Sequence, residues 1–496
     1  MDTPRALDHG SNVLPRVLGP VEAFCVVVGC VIGSGIFLVP ASVARNAPFI
    51  GEIALVWIVG GLFSAAGALA LAELAAMMPH AGGPYVYLRA AYGRIPAFLF
   101  GWTEFTVART GSMATLAAAF ARYFVQLVPP PSFIHGQIWQ AGAAIIAIAV
   151  VTTVNVLGTR HGGALQVFGT ILKVGGVVVL ILLPLLLWRG SLANLSPVWP
   201  TALGGSMFTG MMAAMVHVLW AYDGWVNVTP MAEEVRDPGR NVPRALILGM
   251  AVLVLLYVAM TLAYHLVLPL DEVIAANKGE RGIENAVAAV YCRNLLGHAG
   301  VLGVSILVMC STFISLNGNA LTGPRAYFAM ARDGLLPRSL GRVHHRFRTP
   351  ANAVMAQGLW SILLVILGTA LIVVPPPSSR YALSPFFSPI LAAWTKLNQT
   401  PLYDLLLSYV IFGTIIFNLL AITSVFVLRV QAPDLPRPYR TWGYPFTPLL
   451  YVVAALVLLG NMLLDEQTLV PSIVGLGLIL AGIPASAVLR RRTPAE

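Results

Sequence analysis

Twelve stretches of this chain are each long and apolar enough to cross a lipid bilayer: roughly 20–44, 51–78, 96–127, 137–157, 164–188, 206–234, 244–268, 299–324, 352–374, 403–428, 446–464 and 468–489. A helix rises 1.5 Å per residue and the hydrocarbon core is about 30 Å thick, so about 20 apolar residues make one span. Lipid offers backbone amides no water, and a segment surrounded by it must satisfy them internally as a helix. The expected fold is therefore an all-α membrane protein with 12 transmembrane helices. Composition agrees, with 58% hydrophobic and only 10% charged residues, where soluble domains carry about 25% charged. One membrane domain over 20–489 is expected between cytoplasmic tails at 1–19 and 490–496. The first 19 residues hold acids and prolines but no early apolar core, which reads as no cleavable signal peptide.

Basic residues set the orientation. An even number of spans leaves both termini on one side, and the loops on that side hold twenty of the 30 Lys and Arg. The opposite loops hold seven, and Arg109, Arg122 and Lys173 fall inside spans. The positive-inside bias puts both termini in the cytoplasm of a multi-pass plasma-membrane protein. The net charge of +10 is this topological signal plus contact with anionic lipid headgroups, not nucleic-acid binding. Cys25, Cys30, Cys292 and Cys310 have neither metal-ligand spacing nor a disulfide framework. No metal, cofactor or catalytic residue is assigned. Sequons at Asn194 and Asn398 matter only in a eukaryotic secretory pathway.

Two spans are interrupted. Gly29 to Phe37, with Pro40 beyond, breaks the first, and Trp220 to Trp225 breaks the sixth. A broken helix survives in the bilayer only where its freed backbone groups meet protein, water or solute. Paired breaks in corresponding halves point to a transport site. Five spans separate them, an odd number, so span one and span six run in opposite directions. Repeats of five spans, about 20–188 and 206–428, would then be inverted, with 446–489 an addition. Amides of Gly33, Ser34 and Gly35 at the start of a half-helix suit a carboxylate. Carbonyls near Val31 and at Trp220 and Ala221 suit an ammonium. Together they fit a zwitterionic amino acid. The plain alternative is a pair of glycine kinks used for helix packing.

These stretches resemble the amino acid–polyamine–organocation transporter superfamily, with the closest likeness to its L-type amino acid transporter-like branch. The likeness is carried by Gly29 to Phe37, Ala72-Glu73-Leu74 through Gly82 to Arg89, and Trp220 to Trp225 through Glu233 to Pro238. Asn317-Gly318 through Arg332 to Pro337, and Pro433 to Tyr439, complete it. The resemblance implies the five-plus-five inverted-repeat fold with broken helices 1 and 6, alternating access, and transport of amino acids or related amines. By family pattern Ile32 to Gly35 hold the substrate carboxylate, carbonyls around Trp220, Ala221 and Tyr222 hold the amine, and Trp220 closes over the substrate as a gate. An interfacial or core Trp is the alternative for Trp220. Heteromeric members carry a Cys between spans three and four. The corresponding loop, Val128 to Gly136, has none, so no disulfide-linked heavy-chain partner is expected. The segment from Pro375 to Leu402 is long for the family.

Charges inside the membrane complete the reading. Lys173 lies nine residues into span five, about 13 Å deep at 1.5 Å per residue and close to the bilayer midplane. Thr170 to Val174 resembles the branch in which a lysine ammonium takes the place of a sodium ion, which implies sodium independence. Lys173 is then either a tether to carbonyls of the first break or a proton carrier. Asp223 is either a helix cap or a counter-charge that selects cationic or polar side chains. Glu104 and Arg109, five residues apart on an α-helix, sit about 140° around it and should not pair. Glu73, Glu233 and Glu234 could meet basic cytoplasmic loops or form a cytoplasmic gate with Arg325, Arg332 and Asp333 nearby. Val287, Val290, Tyr291 and Leu295 have the spacing of a short lid helix. The expected activity is secondary amino acid transport, by proton-coupled symport or exchange. Sodium-coupled symport is the alternative, and a channel is disfavoured because no filter or ring of pore charges occurs.

Overall fold

A computed structural model describes residues 14–200, 205–276, 286–373, 402–464 and 466–492. Most of the Pro375–Leu402 segment, and Asn398 with it, lies outside them. The described chain is helical, and an isolated bridge between Leu18 and Val235 is its only β pairing among those residues. Nine helices are long and apolar enough to cross a membrane among the described residues. The three remaining sequence stretches, 96–127, 206–234 and 468–489, are helical but divided. Charge inside the first of them and short segments in the others are the physical reason.

Helix α1 (Pro20–Val31) begins with Pro20 in its first turn. The Glu22 carboxylate accepts from the Gly19 amide at 2.8 Å, which ties off the chain entry. The helix stops at Ile32, whose ψ of 84° leaves the α region. It resumes as α2 (Gly35–Leu38) and, past Val39, α3 (Pro40–Asn46). Helices α4 (Ile50–Met77), α5 (Pro84–Tyr92) and α6 (Arg94–Thr103) follow. A π-helical turn (Glu104–Ala108) joins α6 to α7 (Arg109–Leu127). Then come α8 (Gly136–Leu157) and α9 (Thr159–Leu186). Lys173 is thus near the middle of a 28-residue helix, deeper than a start at residue 164 implied.

Helix α10 (Gly205–Tyr222) ends at Asp223–Gly224 and gives way to a 3₁₀ segment (Trp225–Glu234) that contains Pro230. Next are α11 (Pro238–Val267), α12 (Leu270–Ala275), α13 (Val287–Thr322) and α14 (Pro324–Arg332). The apolar spacing at Val287, Tyr291 and Leu295 does mark a helix, with all three buried. Gly297, at φ 64°, kinks it away from the long span that follows. Helices α15 (Ala351–Val373), α16 (Leu402–Gln431), α17 (Phe446–Leu464), α18 (Glu466–Leu480) and α19 (Gly482–Arg492) complete the chain.

Helices α1, α9, α11 and α13 pack closely against one another, and α4 packs against α11. Their small buried residues, including Ala23, Val27, Ala68, Ala72 and Leu253, form the main core. The interrupted ends of α1 and α10 sit inside this core, away from the exposed leucines and isoleucines that ring the bundle.

Candidate functional site at the paired helix interruptions

The two interruptions touch. A Cβ on Gly35 would stand 2.7 Å from Ala221 Cα, and a Cβ on Gly224 would stand 3.1 Å from the Cys30 carbonyl carbon. Gly224 also has a φ of +116°, which L side chains rarely adopt. Glycine is needed at both points for the backbones to meet. Overpacking by one methyl costs about 1–3 kcal/mol. Uptake by a Gly35→Ala variant is therefore expected to fall about tenfold or more, at 1.4 kcal/mol per tenfold. A Gly136→Ala control, whose added Cβ meets nothing, should transport normally. Wild-type uptake by Gly35→Ala would show that the interruptions need not touch.

Behind this contact lies a cage of oxygens around Lys173, which is 1% exposed. Its Nζ lies 2.6 Å from the Gly29 and Ile32 carbonyl oxygens, 3.1 Å from Ser311 O and 3.0 Å from Ser315 Oγ, four acceptors that share its three N–H donors. Ser311 Oγ and Ser315 Oγ donate in turn to Ile32 O at 2.9 and 3.1 Å. A helix C-terminus carries partial negative charge on its unsatisfied carbonyls, so the end of α1 is a natural seat for an ammonium. Lys173 thereby joins α9, α1 and α13. The two serines, four residues apart in the sequence and so on one face of α13, were the signal available for this cage.

Glu104 and Arg109 do pair, contrary to the α-helical expectation. Arg109 Nε and Nη2 each lie 2.9 Å from Glu104 Oε2. The reason is the π-helical turn. Its backbone bonds run from residue i to i+5, here from Arg109 N–H to Glu104 O, which puts the two residues one above the other. Arg109 also donates to Asn227 Oδ1 and, at 3.0 Å, to Asn319 Oδ1. An arginine within the bundle thus joins α7 to the 3₁₀ segment and to α13.

Val31, Gly33, Ser34 and Gly35 from the first interruption and Trp220, Asp223 and Gly224 from the second line one cavity, with Ser112, Asn227 and Asn319. Two adjoining cavities share Asp223. One is apolar and takes Phe63, Trp220, Trp225, Ile415 and Tyr451; the other takes Glu104 and Arg109. The arrangement offers a polar centre with an apolar and a charged annex.

Six of the nine expected substrate residues line the central cavity. Ile32 does not, because its carbonyl faces Lys173. Ala221 and Tyr222 are buried behind the wall, and the Tyr222 hydroxyl donates to Trp57 O at 3.2 Å. Two backbone groups are also committed elsewhere. The Gly33 amide donates to Val31 O at 2.7 Å, and the Tyr257 hydroxyl donates to the same oxygen at 3.0 Å. Both lone pairs of Val31 O are then in use. Gly224, not Asp223, holds the cap position of the 3₁₀ segment, while the Asp223 carboxylate accepts a bond from the Gly224 amide.

At the end of the bundle where α1 begins, Glu73, Glu233, Glu234 and Asp333 each pair with an arginine. Glu234 and Arg325, both fully buried, bond at 2.7 Å, with Thr159 Oγ1 donating to Glu234 at 2.7 Å. Glu233 meets Arg332 at 3.3 Å and accepts from the Leu14 and Ala81 amides. Arg429 holds Glu73 through two bonds of 2.9 and 2.6 Å. Arg89 pairs with Asp333, which also accepts from Tyr85 at 2.6 Å.

A ring of apolar helices around polar backbone and an enclosed cavity defines a multi-pass membrane protein built to hold a small solute. Residues 18–479 match the family model described as amino acid permease. The chain belongs to this family and to the amino acid–polyamine–organocation superfamily of transporters. It is similar to the human b(0,+)-type amino acid transporter 1, at 30% identity over 459 residues, covering 90% of this chain and 87% of that one. It is similar to the serine/threonine exchanger SteT of Bacillus subtilis (strain 168), at 28% over 483 residues, covering 97% and 98%. The human cystine/glutamate transporter is 27% identical over 481 residues, covering 95% and 85%.

Proposed function

We propose that this protein exchanges amino acids across the plasma membrane by alternating access, without sodium and with both termini in the cytoplasm. The observation that carries the reading is the cavity lined by both helix interruptions. Relatives named as amino acid transporters, one of them an exchanger, support the class. The five-plus-five inverted repeat, over 20–188 and 206–428 with 446–489 appended, supplies the two faces that alternate. The substrate carboxylate sits against the Ser34 and Gly35 amides, and the amine against carbonyls around Trp220 and Ala221. Trp220 closes over it. Asp223, where three cavities meet, favours polar or cationic side chains. Lys173 is the fixed cation that replaces a coupling ion, and its four oxygen contacts favour the tether over the proton carrier.

The test is uptake of labelled amino acid into proteoliposomes. Saturable uptake, raised several-fold by unlabelled amino acid inside and unchanged when choline replaces sodium, is expected. A strict sodium requirement would overturn the coupling scheme, accumulation driven by a proton gradient alone would replace exchange with symport, and linear, unsaturable flux would make the protein a channel.

A further inference from the structure

A fourth cavity lies apart from the three that meet at Asp223, at the end of the bundle where α1 and α11 begin. Arg16, Arg240 and Arg244 line it together with Tyr439, Trp442 and the Asp237 carboxylate. All three arginines are exposed. Among the described residues, none of the three has a carboxylate within ion-pair distance. Among the described residues three cations face one anion there, an excess of positive charge.

Its position along α11 tells what should supply that charge. Arg240 and Arg244 stand four residues apart, and the same helical face continues with Leu248 and Leu255, which are 58% and 70% exposed. A face that turns from arginine to exposed leucine within one helical turn marks the border between headgroups and acyl chains. Trp442, at 66% exposure, stands on the cavity wall, as aromatic side chains do at a membrane interface. Ile247, also on the cavity wall, gives an acyl chain an apolar start. Guanidinium groups match phosphate oxygens in geometry as well as in charge.

We propose that this cavity binds the phosphate headgroup of an anionic phospholipid, with the acyl chains running down the exposed leucines of α11. The site requires only that the protein sits in a bilayer and is independent of what the protein transports. A soluble phosphate offers the same oxygens but makes no use of the apolar face.

Native mass spectrometry of the full chain in detergent, titrated with dioleoylphosphatidylglycerol, dioleoylphosphatidylcholine or inorganic phosphate, tests this. Phosphatidylglycerol should bind at least tenfold more tightly than phosphatidylcholine. An Arg240→Gln/Arg244→Gln variant should bind it about 30-fold more weakly, which is about 2 kcal/mol at 1.4 kcal/mol per tenfold, each arginine near an anionic surface contributing about half. Both arginines are exposed, so the variant should fold. An Arg160→Gln/Arg342→Gln control removes two exposed charges elsewhere and should bind the lipid normally. Equal loss in the control, equal affinity for the two lipids, or displacement of phosphatidylglycerol by millimolar inorganic phosphate would each overturn the proposal.

Discussion

Lys173→Ala should lose at least about tenfold in sodium-free uptake, since one hydrogen bond to a charged group is worth about 1.5–3 kcal/mol and four contacts vanish. The loss is one of shape as well as energy. Lys173 pins the last carbonyls of α1 to α13, and the polar cavity begins immediately beyond them at Val31 and Gly33. Without it, Ser311 and Ser315 still donate to Ile32 O, so the chain should fold while the interruption loosens. The vacated cage holds the Gly29, Ile32 and Ser311 carbonyls and a serine hydroxyl. Such oxygens at a half-helix end are the kind that coordinate sodium in related folds. Partial recovery of Lys173→Ala uptake on adding sodium, absent with choline, is therefore expected. Lys173→Arg should stay impaired, because a planar fork cannot replace a compact ammonium surrounded by oxygens. Uptake by Lys173→Ala at the wild-type level in choline would remove the cage from the mechanism.

Much of this arrangement is legible in the residues. Nine of the twelve expected spans follow from the length of apolar runs among the described residues, and both interruptions follow from glycine, proline and aspartate where a helix should continue. Lys173 stands out because a lysine in the middle of an apolar run needs a reason. What escaped has a physical explanation. The Glu104–Arg109 pair depends on a local change of helix period between Glu104 and Ala108, and an α-helical projection places the two side chains apart. Ser311, Ser315 and Asn319 lie four residues apart on one face of α13, and the polar stripe is visible. Its partners are not, since Gly29 and Ile32 are far away in the chain. The Gly33 amide and Val31 carbonyl were expected to meet substrate, but a tight local turn and Tyr257 from α11 engage them. Backbone groups freed by a broken helix are claimed first by the nearest donors and acceptors, and only the remainder is left for a ligand.

Glu234 and Arg325 carry the second large effect, in which stability and transport should separate. Both side chains have 0% exposure, and they tie the end of the 3₁₀ segment to α14, with Thr159 at the start of α9 bonded to both. Removing one partner strands a buried charge, at a cost of about 3–5 kcal/mol, so Arg325→Ala and Glu234→Ala should each lower the melting temperature sharply. Replacing both by apolar residues of similar volume, Glu234→Leu with Arg325→Met, strands no charge, only the Thr159 hydroxyl, and is expected to restore most of the thermal stability. A purely structural pair would then be fully replaced. A latch that closes the bundle at this end would not, because only the more exposed Glu233–Arg332 pair remains to draw the 3₁₀ segment back to α14. Cys30, on the wall of the central cavity, reports the difference. In a protein with its other three cysteines replaced by alanine, a charged thiol reagent applied from the Glu234 side should label Cys30 at least tenfold faster in the double variant. Labelling at the parent rate, with thermal stability restored, would reduce the pair to a structural role.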